Sequence, residues 1–217
     1  MRIATIDYSS EAVWPGQNCD VLYVEGSPFS EHPRWSPWPA LFENLRLHSL
    51  YDIDKTSPEE FRVITGGEPF LQGVELFVKK LKRAINCPVR IDTDGAFPGR
   101  LKLAARSGIF DHVALRIWAP IGKYNSTGLL PKGVINDSLT ALEQFPSHEI
   151  IIPYDPDNVD LKQTYESIKG YDIEQITVWP LDMTVDRTTL KQSTLTRDDI
   201  ISDIRNKLPN NGRIVIL

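Results

Sequence analysis

A chain of 217 residues can bury one substantial core, and 41% hydrophobic against 24% charged residues is the balance of an ordinary globular protein. A net charge of −5, a pI near 5.4 and the lack of any basic run argue against a sequence-independent grip on nucleic-acid backbone. The apolar runs are strand-sized and Asp7 interrupts the N-terminal stretch too early for a secretion signal, so no membrane partner and a cytoplasmic location are expected.

Taken in chain order, Arg2 to Ile6 reads as a short opening strand and Trp14-Pro15-Gly16-Gln17-Asn18 as a turn. Asp20 to Glu25 is a predicted strand ended by Gly26. Ser27 to Pro39 follows, with four prolines in thirteen residues. That density excludes regular structure and leaves a stiff loop. Its Phe29, Trp35 and Trp38 need an apolar surface to lie on. Ala40 to Leu50 reads as a helix. Phe61 to Ile64 is an apolar strand that runs into Thr65-Gly66-Gly67-Glu68-Pro69.

From there the rhythm is regular. Helical periodicity covers Leu71 to Ile85, Pro98 to Arg106 (closed by Gly108), Lys132 to Phe145 and Asp160 to Lys169, with a last helix capped by Thr196. Asp198 and Asp199 in its first turn complement the helix dipole. Strand patterns cover Pro88 to Asp92, Phe110 to Ala119, Glu149 to Ile152, Gln175 to Trp179 and Ile214 to Leu217. Strands alternating with helices predict βαβ units on a parallel sheet. About six such units are too few for an eight-fold barrel, which predicts an open or partial barrel. No linker, composition shift or repeat divides residues 1–217.

In such a sheet the ligand site lies at the carboxyl ends of the strands. Those ends collect Gly26, Gly66, Gly67, Glu68, Asp92, Asp94, Arg116, Trp118, Pro153, Tyr154, Pro180 and Asp182. Paired glycines let the backbone turn or approach a ligand closely. Glu68 is placed either to accept from a cationic or N–H donor of a ligand or to start the next helix. Asp92 and Asp94, two apart on a strand, share a face. They form either a paired acid–base site or, through Asp94-Gly95, a turn. Arg116 is then a catalytic partner or a charge-balancing one. Four scattered histidines without helical i,i+4 pairing are weak grounds for a metal site.

Several strings resemble motifs of the radical S-adenosylmethionine (SAM) enzymes. Thr65-Gly66-Gly67-Glu68-Pro69 resembles their GGE motif, with the anaerobic ribonucleotide reductase activating proteins and 7-carboxy-7-deazaguanine synthase as the nearest likeness. Ile91-Asp92-Thr93-Asp94-Gly95 resembles the family's D-T-N-G strand end, with Asp94 where Asn is usual. Gly108-Ile109-Phe110-Asp111-His112-Val113-Ala114-Leu115 resembles G-L-V-D-Y-V-A-M. Arg116-Ile117-Trp118-Ala119-Pro120 stands where D-I-K-A-P is common, and Ile3 to Tyr8 resembles the opening T-x-x-D-Y. The resemblance covers nearly the whole chain. It implies an α/β fold, specifically a partial (β/α)6 parallel barrel of radical SAM type.

The family's C-x3-C-x2-C loop, whose three thiolates hold a [4Fe–4S] cluster, belongs directly after the Asp20–Glu25 strand. The three positions fall on Ser27, Glu31 and Arg34. These side chains cannot replace thiolates. The chain's two cysteines, Cys19 and Cys87, precede strands and belong at the opposite end of the sheet. The Glu149–Pro153 strand also lacks the family's polar pair R-T-T.

The resemblance therefore implies a cluster-less protein, with no radical SAM activity expected. Gly66, Gly67 and Glu68 would bind SAM or a nucleotide, and the chain would act as a pseudoenzyme or regulator. Two alternatives remain open. One is a protein-interaction scaffold that meets a radical SAM enzyme or a reductase through Ser27 to Pro39. The other is an enzyme with non-radical chemistry run by Asp92, Asp94 and Arg116.

Overall fold

Strand and helix periods alternate along most of the chain, and the elements follow them. The structure is a computed structural model that describes residues 1–10, 13–14, 16–29, 53, 59–127, 130–157, 159–180, 196–209 and 212–216. Among these, strands β1 (Ile3–Ser10), β2 (Cys19–Val24) and β3 (Phe61–Gly66) are followed by a 3-10 turn, Pro69–Gln72, and helix α1 (Val74–Ile85). Then come β4 (Val89–Thr93), α2 (Pro98–Ser107), β5 (His112–Arg116), α3 (Ile121–Thr127) and α4 (Val134–Leu142). The order closes with β6 (His148–Tyr154), α5 (Leu161–Ile168), β7 (Gln175–Pro180), α6 (Arg197–Lys207) and β8 (Ile214–Ile216).

The eight strands form one open sheet whose strand order is the chain order. β1 pairs antiparallel with β2, and every later neighbouring pair is parallel. Right-handed crossovers without a reversal of strand order keep the helices on one face. On that face Leu22, Ile64, Ile91, Leu115, Ile150 and Val178 meet Val78, Leu81, Leu101, Leu139, Leu161 and Ile204 in one apolar cluster. The opposite face carries the alternate residues and is different in kind. At β2 and β3 it carries a small apolar cluster of Cys19, Val21 and Val63, and on β6 Ile151 lies in register with Arg116 and Thr177. From β4 onward it presents Arg90, Asp92, Arg116, Glu149 and Thr177, each about 1% exposed.

Several boundaries differ from the periodicity. The predicted helix Leu71–Ile85 is split, because Pro69 opens a 3-10 turn and Gly73 adopts φ 71° before α1 begins. β5 is shorter than Phe110–Ala119. Asp111 turns its carboxylate to the β4 amide of Val89 (2.8 Å) and to Lys82 (2.5 Å), and the Trp118 amide leaves the ladder to donate to Tyr124 Oη (2.8 Å). Helix α4 starts only after Gly133, whose φ is 89°. Helix α3 has no counterpart among the predicted elements. The predicted helix Ala40–Leu50, Trp35, Trp38 and Asp182 lie outside the described residues. No helix among the described residues is long and apolar enough to cross a membrane.

Candidate functional site

The polar face is organised in layers, because consecutive same-face residues on neighbouring strands fall in register. The middle layer is built on Arg90. Its Nε lies 2.8 Å from Asp92 Oδ1 and its Nη1 2.6 Å from Glu149 Oε1. Glu149 also accepts from Gln175 Nε2 (3.0 Å) and Thr177 Oγ1 and meets His112 Nε2 at 3.3 Å. Burial alone would raise the Glu149 pKa, but Arg90 and the His112 and Thr177 hydrogen bonds hold it at about 2. Beneath this layer, at the start of β5, the His112 ring stacks on Trp14 at 5.6 Å and its Nδ1 meets Ser147 Oγ at 2.9 Å.

The upper layer lies at the strand ends and contains the Gly-Gly-Glu string. Gly66 has φ 89°. The Gly67 amide donates to Val24 O (2.8 Å) and the Glu68 amide to Gly26 O (2.7 Å), so the end of β3 is laced to the exit of β2. A Cβ on Gly67 would stand 1.9 Å from Gly26 O. The glycine is thus required by the chain's own backbone. Glu68 caps the 3-10 turn by accepting from the Phe70 amide (3.0 Å). Its carboxylate also accepts from Thr93 Oγ1 (3.0 and 2.9 Å) and from the Asp94 amide (2.7 Å).

Arg116, on β5, closes the layer. Its Nη1 and Nη2 donate to Gly66 O (2.7 Å) and Gly67 O (2.8 Å), and its Nε lies 2.9 Å from Asp94 Oδ1. The same Oδ1 accepts from Trp118 Nε1 at 2.9 Å. Among the described residues Asp94 Oδ2 has no hydrogen-bond partner, and neither has Thr65 Oγ1. Both residues are buried, at 0% and 2% exposure. Phe29 packs on Tyr124 at 6.3 Å beside this layer.

Two carboxylates, Glu68 and Asp94, therefore share one guanidinium. Burial first, and then the charge of Asp94, push the Glu68 carboxyl up to about 7 against the opposing pull of Arg116 and two backbone amides. Burial also raises Asp94, although Arg116 and Trp118 oppose it.

Of the sequence-predicted site residues, Gly66, Gly67, Glu68, Asp94 and Arg116 come together. Asp92 shares their face but belongs to the middle layer, paired with Arg90, whereas Asp94 is paired with Arg116. Arg90, Glu149, Thr93 and Thr65 are the polar residues that motif reading passed over. Their signal was present: Arg90, Asp92 and Asp94 place an ionisable residue at every second position of a strand that should be buried.

The donor set for a [4Fe–4S] cluster does not fit this chain. Ser27 Oγ accepts from the Phe29 amide (3.0 Å), while Glu31 and Arg34 lie outside the described residues. Cys19 and Cys87 are free and buried; Cys19 opens β2 and Cys87 precedes β4, at the ends opposite to Glu68 and Asp94. Among the described residues no group of three or more His, Cys, Asp and Glu side chains is arranged to hold a metal. For SAM the fit is partial: the Glu68 oxygens are engaged within the chain, whereas Asp94 Oδ2 and Thr65 Oγ1 are not. A surface cleft of about 260 Å³ between α2 and α4, lined by Pro98, Gly99, Lys102, Asp137, Thr140, Ala141 and Gln144, includes none of these residues.

The class these features define is an α/β protein with an open, mostly parallel sheet and a buried polar layer at its strand ends. Compared with known protein families and with characterised proteins, the chain matches none.

Proposed function

We propose that this chain is a cluster-less relative of the radical SAM enzymes, a partial (β/α)6 barrel that binds SAM or a nucleotide at its strand ends and performs no radical chemistry. It would act as a pseudoenzyme or regulator. The reading is supported by the strand order, which follows the chain without a reversal, and by the Gly-Gly-Glu and Asp-Thr-Asp-Gly strings, which end adjacent parallel strands. The observation that carries it is Asp94 Oδ2: a buried carboxylate oxygen without a donor among the described residues, in a layer with one more carboxylate than guanidinium. A buried acceptor of that kind calls for a donor from outside the chain, a ligand or a bound water.

Calorimetric titration with SAM, S-adenosylhomocysteine, ATP and GTP tests this. Saturable binding of at least one is expected, and silence with all four overturns it. Anaerobic incubation with iron and sulfide is expected to give no cluster absorbance, since the chain has two cysteines where a cluster needs three.

One set of contacts favours a second reading, an interaction scaffold. Both Glu68 oxygens and the Gly66 and Gly67 carbonyls are already satisfied within the chain, and Phe29 is buried against Tyr124. Co-purification of a stable partner by a protein that ignores all four ligands would favour it.

A further inference from the structure

The amino ends of the strands hold a second polar constellation, at the end of the sheet opposite to Glu68 and Asp94. Val113 pairs with His148 and Ala114 with Glu149, so Ser147 stands beside His112, and the strand period puts His112, Ser147 and Glu149 on the polar face. His112 Nδ1 lies 2.9 Å from Ser147 Oγ, and its Nε2 lies 3.3 Å from Glu149 Oε1. Trp14 stacks on the imidazole at 5.6 Å and meets Phe61 edge-on at 5.3 Å, which adds an apolar wall to the group. Ser147 and Trp14 are partly exposed, and the His112 side chain is 12% exposed.

The partners fix the tautomer of the ring. Burial opposes the charge of Glu149, but Arg90, whose Nη1 lies 2.6 Å from the same Oε1, keeps it ionised. A carboxylate can only accept, so the proton of the neutral imidazole sits on Nε2. Nδ1 then keeps its lone pair, and the Ser147 hydroxyl donates to it. A nucleophile, a base within hydrogen-bond reach and a third group that orients the base are the parts of an activated serine. The two ring nitrogens have traded places relative to the serine-protease arrangement, and the three roles are the same.

We infer that Ser147, His112 and Glu149 form a second, hydrolytic site, which cleaves carboxylic esters of a small apolar acyl group by way of an acyl-Ser147. It is independent of ligand binding at the opposite strand ends. As Ser147 Oγ bonds to the ester carbonyl carbon, its proton passes to His112 Nδ1. The bond from that carbon to the leaving oxygen then breaks, and Nδ1 returns the proton to the leaving alkoxide. Water repeats the sequence on the acyl-serine. It bonds to the carbonyl carbon and gives a proton to Nδ1, and Ser147 Oγ leaves and takes that proton, so that ester and water yield acid and alcohol. Ser147 and His112 are the catalytic residues. Glu149 is a positioning residue that holds the tautomer and faces the imidazolium as it forms. Trp14 and Phe61 offer the surface for the acyl group.

The test is reaction of the full chain with diisopropyl fluorophosphate, located by peptide mass spectrometry, together with hydrolysis of p-nitrophenyl acetate and p-nitrophenyl butyrate. Modification of Ser147 is expected, and Ser147→Ala, which removes one partly exposed hydroxyl, should bring ester hydrolysis down to the buffer rate. His112→Gln should slow both reactions by roughly a hundredfold. Glu149 also holds Arg90, so its part is read by NMR rather than by rate. The ring-nitrogen chemical shifts of His112 are expected to show Nε2 protonated and Nδ1 bare in wild type, and Glu149→Gln should lose that preference. No modification of Ser147, modification at an unchanged rate in His112→Gln, or a neutral His112 protonated on Nδ1 would each overturn the site. The NMR measurement on wild type carries the test if a variant does not fold.

Discussion

Arg116 Nε lies 2.9 Å from Asp94 Oδ1, with both side chains about 1% exposed, and the same guanidinium reaches back to the carbonyls of Gly66 and Gly67. One side chain thus joins the ends of three parallel strands. A buried charge pair of this sort holds geometry more than it adds stability, since desolvation offsets most of the attraction. Removing one partner is another matter, because it leaves the other charge buried and alone.

Arg116→Met is therefore expected to lower the unfolding free energy by about 3–5 kcal/mol. It strands Asp94 and Glu68 and orphans two carbonyls. Adding Asp94→Asn should recover part of that loss, because it deletes one of the stranded charges. Urea unfolding of the two single variants and the double variant measures the coupling; additive losses would contradict the pairing.

The two kinds of glycine in this chain should respond oppositely to a methyl group. At Gly67 an added Cβ would fall 1.9 Å from Gly26 O, and the backbone bonds that lace β2 to β3 would have to part. Gly67→Ala should cost about 2 kcal/mol or more. Gly99, in the first turn of α2, has nothing within 4 Å of its would-be Cβ. Gly99→Ala should stabilise by roughly 0.5 kcal/mol. Thermal melting of both variants beside wild type decides.

Stability should fall as pH rises from 4.5 to 7. Glu68 is raised to about 7 by burial and by Asp94, so the folded state holds a proton that the unfolded state releases. Its contribution is fully present below pH 4.5 and is lost as pH passes 7, by an amount on the order of 3 kcal/mol. Asp94→Asn removes the like charge and should flatten this slope. Glu149 works in the opposite sense. Held at about 2 by Arg90, it contributes stability above pH 4.5 that is lost as pH falls toward 2, and Glu149→Gln should remove that acid limb. Denaturant midpoints between pH 3 and 8 for the three proteins read both slopes.

Cys19 and Cys87 should be inert until the chain unfolds. Both thiols are buried, and burial raises the Cys19 pKa to about 11 while its Sγ–H donates to Ser10 O at 3.3 Å. A thiol-reactive chromogen should find almost no reactive groups in the native protein and two per chain in denaturant. Fast labelling of either thiol under native conditions would count against this burial.

Alternation and turn chemistry are local, and the elements that depend on them were readable from the residues. The strand into Gly66-Gly67, the Gly108 cap, Asp160 and Thr196 before their helices, and the parallel βαβ rhythm all follow from neighbours a few positions apart. Where a distant contact decides the boundary, local pattern failed. Asp111 is drawn out of β5 by the Val89 amide, and the Trp118 amide by Tyr124. Helix α3 is only seven residues long, too short for its period to mark it.

The strand-end site divides in the same way. That Gly66, Gly67, Glu68, Asp94 and Arg116 would gather at one end of a parallel sheet follows from their places at strand termini. That three cysteines were wanting follows from a count. Which carboxylate oxygen is left without a donor does not follow from either. It depends on Arg116 reaching fifty residues back along the chain, on Trp118 turning its indole to Asp94, and on Thr93 filling Glu68. A residue's type states which bonds it can make; only the packing of strands distant in sequence decides which of those bonds are already taken.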